Sequence, residues 1–246
     1  MNIGLYQSAS ALSALERWQD VVSQNITSSQ TAGYRKKTVN FSAALSGELQ
    51  TDPRGREGAA MSTVFPKVNE GINFTTGETE PTRRDYDVAI QGDGFFEVQM
   101  PDGAKAYTRS GQFKLRSDRT LVTSGGQELL STGGSPIVLL PNGLPLTINQ
   151  DGTLFQGDSS LGKIAVQSFK DPSKLTSVAG GFFLAGSEQP VPVEQPELMQ
   201  GYLEGSNVAP LREMVDMVLI SRAYEANQKI ISSYDQTMGK TLEALG

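Results

Sequence analysis

The stretch Pro210-Leu211-Arg212-Glu213-Met214-Val215-Asp216-Met217-Val218-Leu219-Ile220, which runs on without proline to Leu245, decides the fold. Met217, Tyr224, Ile231, Met238 and Leu245 recur at seven-residue spacing, and Met214, Val218, Ile220, Tyr234 and Leu242 widen the stripe. That recurrence belongs to a helix offering one face to other helices. Ser206 and Asn207 are cap-type residues, and Pro210 suits a first helical turn. Glu213 and Asp216 lie near the positive end of the helix dipole, and Lys240 near its negative end. At ~1.5 Å per residue the helix is about 54 Å long, more than a small β-domain can cover.

A second helical segment opens the chain, from about Ile3 to Ser28. Leu5, Leu12 and Ile26 fall on one seven-residue series, with Gln19 its polar exception, and Leu15 and Val22 fill the neighbouring one. Trp18, with Ala9 and Val21, widens the face enough to meet more than one partner. Gly33 then supplies the left-handed conformation that a chain reversal needs. Some 180 residues separate the two helices. The expected fold is α+β, with N- and C-terminal helices pairing coaxially and bracketing a mainly antiparallel β-domain. Residues 1–46 and 204–246 are expected to form a terminal helical assembly domain, 47–85 an extended connector and 86–203 the β-rich domain.

In the middle, turn dipeptides punctuate short apolar runs. Gly92-Asp93-Gly94, Pro101-Asp102-Gly103, Ser117-Asp118-Arg119 and Gln150-Asp151-Gly152 each read as a hairpin turn, because Asp and Gly accept positive φ. One antiparallel, partly closed domain of roughly eight to twelve short strands follows. Residues 47–85 show no clear period; Thr51-Asp52-Pro53-Arg54-Gly55-Arg56 sits among them, with a short strand expected near Val64-Phe65.

Composition removes most chemistry. The 246 residues contain neither cysteine nor histidine, which excludes disulfides, thiol nucleophiles and the commonest general base and metal ligand. A net charge of −6 argues against a nucleic-acid partner. The longest basic run, Arg35-Lys36-Lys37, reads as a solvated helix terminus. No aliphatic run is long enough to span a bilayer, and the N-terminus lacks the basic and apolar regions of a cleaved signal. Gly92-Asp93-Gly94 lacks the third glycine and following helix of a phosphate loop. Ser160-Leu161-Gly162-Lys163 lacks the companion motifs of a Ser-x-x-Lys acylase. Asp85 and Asp87 flank Tyr86 at strand spacing, and they carry the alternative reading, a carbohydrate-active enzyme or binding module on the β-domain. A strand-start carboxylate bonding nearby backbone is the preferred reading there. No catalytic residue, cofactor, metal or small-molecule substrate is expected.

Four ordered motifs carry a resemblance. Asn25-Ile26-Thr27-Ser28-Ser29-Gln30-Thr31-Ala32-Gly33-Tyr34-Arg35 resembles the N-terminal signature of the bacterial flagellar axial proteins, in the rod branch of the hook–basal-body group. Asp87-Val88-Ala89-Ile90-Gln91-Gly92-Asp93-Gly94-Phe95-Phe96 is similar to that family's strand–turn–strand element, and Ala106-Tyr107-Thr108-Arg109-Ser110-Gly111-Gln112-Phe113 to its Tyr-Thr-Arg stretch. Gly205-Ser206-Asn207-Val208, followed by Arg222-Ala223-Tyr224-Glu225-Ala226-Asn227, looks like its C-terminal helix. Two departures are Ser28, where the signature has a second Asn, and Arg83-Arg84-Asp85-Tyr86, where small apolar residues are usual. The resemblance implies a non-enzymatic subunit that polymerises with itself and other rod and hook proteins into a hollow, torque-carrying shaft. It also implies export by the flagellar type III apparatus without a cleaved signal peptide, assembly across the periplasm, and no membrane insertion. Leu203 to Pro210 and the compact length lean toward the proximal rod type over the distal one.

Overall fold

The computed structural model describes residues 3–49, 61–141 and 143–243, with the backbone alone for 3–6, 43–49, 61–66 and 242. Helix α1 spans Ile3–Thr27 and helix α2 spans Pro210–Glu243. Between them every strand pairing of the described residues is antiparallel. The expected α+β class, helices bracketing an antiparallel β-region, is what the structure shows. The chain divides into two compact units.

The first unit combines both helices with a long hairpin, β1 (Lys37–Leu49) and β2 (Met61–Ile72). Its register runs from Lys37 opposite Ile72 to Leu49 opposite Met61, with an irregularity between Leu45 and Glu48. Part of the stretch read as an extended connector is therefore strand, and Val64-Phe65 sits inside it. A two-stranded ribbon backed by one helix is under a weaker demand for alternation than a strand inside a layered sheet, so its periodic trace is faint. Residues 50–60, which include Thr51 to Arg56, lie outside the described residues. The helices meet through Leu15 and Val22 of α1 and Ile220 of α2, with Trp18, Ile26, Met217, Ala223 and Tyr224 around them. Trp18 also stands edge-on to Phe41 of β1, their ring centroids 5.6 Å apart.

The second unit comprises Ser28–Lys36 and Asn73–Val208. β3 (Thr79–Pro81) pairs with Tyr202–Glu204, and β4 (Val88–Gln91) with Glu197–Gln200. β5 (Phe95–Gln99) lies at the centre of a nine-stranded sheet, flanked by β6 (Lys105–Thr108) and Glu128–Leu129. Val88, Ile90, Phe96, Val98, Leu129 and Leu198, among others, close its core. From β4 to Tyr202–Glu204 the described residues form fifteen short strands, more than the eight to twelve expected, because several are only two or three residues long.

Three of the four predicted hairpins form, around residues 101–103, 117–119 and 150–152. In each the aspartate's Oδ1 accepts the backbone N–H two residues on: Asp102 from Ala104, Asp118 from Thr120 and Asp151 from Thr153. The positive φ falls on Gly103, Arg119 and Gly152. The fourth does not form. Gly92-Asp93-Gly94 turns the chain, but β4 and β5 leave it for different sheets. Turn chemistry specifies a reversal, not which edges then pair.

Tyr107 of β6 is buried, faces Glu97 across β5 and packs edge-on against Phe169 at 4.9 Å. Burial, and secondarily the Glu97 carboxylate, push its phenol up from 10.0 to about 12. The neutral phenol is thus favoured by folding. Its contribution is complete below the ordinary value and lost as pH rises toward 12. Thermal unfolding followed between these limits should show a falling midpoint, and Tyr107→Phe should flatten that slope. A variant with an unchanged slope would contradict the assignment.

Candidate functional site

The residues expected to drive assembly lie largely along α1 and α2. Leu15 and Val22 are buried, while Leu12, Trp18 and Ile26 are half-buried. On α2, Met217, Tyr224 and Ile231 are half-buried, whereas Met214 and Met238 are exposed at 51% and 55%. The structure brings Leu15, Trp18, Val22 and Ile26 together with Met217 and Tyr224. Leu5 is placed in α1 by its backbone, and Leu245 lies outside the described residues. Leu211, Val215, Val218, Leu219 and Ile230 add to the exposed apolar surface of α2. Ile220, read only as widening the stripe, is the most buried residue of the helical seam.

A polar tie completes this unit. The Asn25 side chain donates to Glu213 Oε2 and to the Lys37 carbonyl, each at 2.9 Å, and accepts from Lys37 N–H at 2.9 Å. Asn25 and Glu213 are both buried to 1% exposure. Glu213 lies in the first turn of α2, where a carboxylate is favoured by the helix dipole.

In the second unit the motif residues gather around Glu204. Its carboxylate receives Arg35 Nη1 at 2.5 Å and Gly77 N–H at 2.9 Å on Oε1, and faces Arg109 Nη1 at 3.4 Å on Oε2. Its carbonyl accepts the Gly33 N–H at 2.8 Å. Arg109 also donates to the carbonyls of Ile90 and Gly92 and lies over the Phe95 ring. Arg35 is therefore not part of a solvated helix terminus, as its basic run suggested. It is 2% exposed and paired, eight positions beyond the end of α1. Gly33 sits at φ +68°, and a Cβ there would stand 2.3 Å from the Arg109 carbonyl carbon, so neither conformation nor space admits a side chain. Thr31 accepts the Tyr34 N–H and closes the turn before it.

Asn207 does not cap α2. Its Oδ1 accepts Lys36 N–H at 2.6 Å, and its Nδ2 donates to the carbonyls of Asn73 and Thr75, each at 2.9 Å. Ser206 Oγ accepts the Val208 N–H, and Gly205 packs so tightly that a Cβ on the facing Gly77 would overlap its carbonyl. Gly92 and Gly94 hold positive φ in the turn before Phe95, whose ring packs against Phe74, Phe169 and Phe183.

The Asp85/Asp87 pair does not share a face. Asp85 is exposed in a turn, whereas Asp87 is buried and accepts from Thr82 Oγ1 at 2.6 Å and Arg84 Nε at 2.7 Å. One carboxylate sealed by its own loop and another in solvent make no acid–base couple. No group of three or more metal-binding carboxylates occurs among the described residues. Nor is any described helix long and apolar enough to cross a membrane.

Residues 89–156 match the flagellar hook protein FlgE/F/G D1 domain, and 199–244 the flagellar basal body rod FlgEFG protein C-terminal region. The chain is 34% identical to the flagellar basal-body rod protein FlgG of Borreliella burgdorferi over 96% of each chain. It is 31% identical to FlgF of Caulobacter vibrioides over 100% of this chain and 99% of that one. This chain belongs to the flagellar basal-body rod protein family. FlgF of Salmonella typhimurium is a further relative, 30% identical over 100% of this chain and 99% of its own. The family is structural rather than enzymatic, which agrees with carboxylates committed to turns and buried ties.

The buried ties distinguish themselves energetically from surface ion pairs. Arg35→Ala removes the shortest partner of the buried Glu204 carboxylate while Arg109 and the Gly77 N–H still face it, and should cost about 3 kcal/mol, the low end for a broken buried pair. Arg17→Ala removes a partner of Glu70 with side chains 66% and 45% exposed, and should cost less than about 1 kcal/mol. Chemical denaturation of both variants checks this, and equal losses would sink it.

Proposed function

We propose that this chain is a structural subunit of the flagellar rod, assembling with copies of itself and with other rod and hook axial proteins into a hollow shaft that carries torque from motor to hook. The observation that carries this reading is the apolar surface of α2. Leu211, Met214, Val215, Val218, Leu219 and Met238 are exposed by 80%, 51%, 59%, 53%, 51% and 55%, on a helix whose stripe continues well past its seam with α1. Contiguous apolar exposure on this scale marks an interaction surface. The exposed row is completed by neighbouring subunits, and the terminal helices with the hairpin act as the assembly domain. The subunit works at the periplasm-spanning basal body, which it reaches through the flagellar type III export apparatus.

Within the family we favour the proximal, FlgF-type position. Identities to the two types overlap, at 31% for FlgF of Caulobacter vibrioides and 34% for FlgG of Borreliella burgdorferi. Support comes from the Leu203–Pro210 segment and from alignment over 100% of the chain with the named FlgF relatives, against 96% with that FlgG.

A strain lacking this chain should show, by electron microscopy, no external hooks or filaments; intact hooks would refute a rod role. Basal bodies from that strain should also lack a separate FlgG-type protein, whereas retention of a separate FlgF-type protein would move this chain to the distal position. Met238→Asp should leave the unfolding midpoint of the monomer unchanged yet abolish motility. Full motility of this variant would exclude that row from the subunit contacts.

A further inference from the structure

The second unit contains a pocket that the rod reading leaves unused. It has a volume of about 220 Å³, and its lining includes Arg35, Arg109, Lys170, Asp93, Phe95 and Phe169. Arg35 and Arg109 are 2% and 3% exposed, and they share one buried carboxylate, Glu204. Two buried cations against one buried anion leave a positive charge that only groups outside the buried cluster can offset. The Nε groups of Arg35 and Arg109 are both buried and have no hydrogen-bond partner among the described residues. Asp93, exposed at the pocket, makes no hydrogen bond to either guanidinium among the described residues, and its carboxylate offsets the buried charge only through space. Lys170, also exposed, adds a third cation.

The aromatic side of the pocket explains why this charge persists. The guanidinium carbon of Arg109 lies 5.6 Å from the centroid of the Phe95 ring, and Phe95 packs on Phe169 at 5.8 Å. A ring face steadies a cation but supplies no hydrogen-bond acceptor. Burial draws the Arg109 guanidinium below its ordinary value, and the Glu204 and Asp93 carboxylates only partly oppose that. Glu204 Oε2 is also without a hydrogen-bond partner among the described residues, but it does not serve the two Nε–H groups, which reach no acceptor. Guanidinium groups pair with carboxylates and phosphates through their oxygens.

We propose that this pocket binds a small oxyanion between Arg35, Arg109 and Lys170, with the phenylalanines forming its apolar wall. The chemistry is shared by a carboxylate and by free inorganic phosphate. The site belongs to a single chain, so its test is independent of rod assembly.

The test uses the full chain, titrated separately with sodium phosphate and sodium acetate while sodium chloride holds the ionic strength constant. The arginine Nε–H signals of Arg35 and Arg109 in the NMR spectrum and the thermal midpoint report binding. Saturable movement of both signals and a raised midpoint are expected. Lys170→Ala, on an exposed side chain, should fold normally and bind about threefold more weakly. Tighter binding of acetate identifies a carboxylate as the ligand, and tighter binding of phosphate a free inorganic anion; either supports the site. Responses no different from those to chloride would overturn it, as would an unchanged affinity in Lys170→Ala.

Discussion

One carboxylate organises the second unit. Glu204 receives Arg35 from the segment that follows α1, Gly77 from the approach to β3 and Arg109 from the end of β6, while its carbonyl takes the Gly33 N–H. These stretches are far apart in sequence, and of the three only β6 lies in a wide sheet. A buried ion pair adds little net stability compared with apolar packing, but it strongly penalises arrangements in which a partner is missing. The arrangement around Glu204 thus specifies where the connecting strands must run. Gly33 is glycine because the backbone carrying Arg109 passes where a side chain would stand.

The motif residues of this family acquire physical roles on the same terms. Asp87 closes its own loop through Thr82 and Arg84, and Asn207 fastens residue 36 to residues 73 and 75. Asn25 joins the end of α1 to the start of α2 through Glu213. Each is a short polar side chain spent on fixed partners: Asn25 and Asn207 mainly on backbone groups, Asp87 on two side chains of its own loop. Such residues resist substitution without touching substrate or cofactor, which is why a chain dense in motifs can be without catalysis.

Helix and hairpin existence was legible because both leave local signals: the seven-residue stripe of α2, and aspartates that bond two residues ahead at 102, 118 and 151. Partner choice was not legible. Nothing near Gly92-Asp93-Gly94 announces that β4 pairs with Glu197–Gln200 rather than with β5. The hairpin of β1 and β2 was missed for a different reason, since a ribbon backed by one helix is held to alternation only weakly. At the site, the apolar seam could be read from spacing, whereas Arg35 looked like surface charge. Its partner Glu204 lies 169 positions away, and no local pattern links them.

The bond between Lys36 N–H and Asn207 Oδ1, at 2.6 Å, has a consequence for the order of folding. Bringing together ends separated by about 180 residues of unstructured chain carries a closure entropy on the order of 4–5 kcal/mol. Residues 36 and 207 both belong to the β-rich unit, so folding of that unit already draws the two exits of the chain together. The helices then meet as though joined by a short tether, at high effective concentration. A chain held open along its middle keeps its sticky ends apart. The same chain, once its middle has closed, presents them side by side.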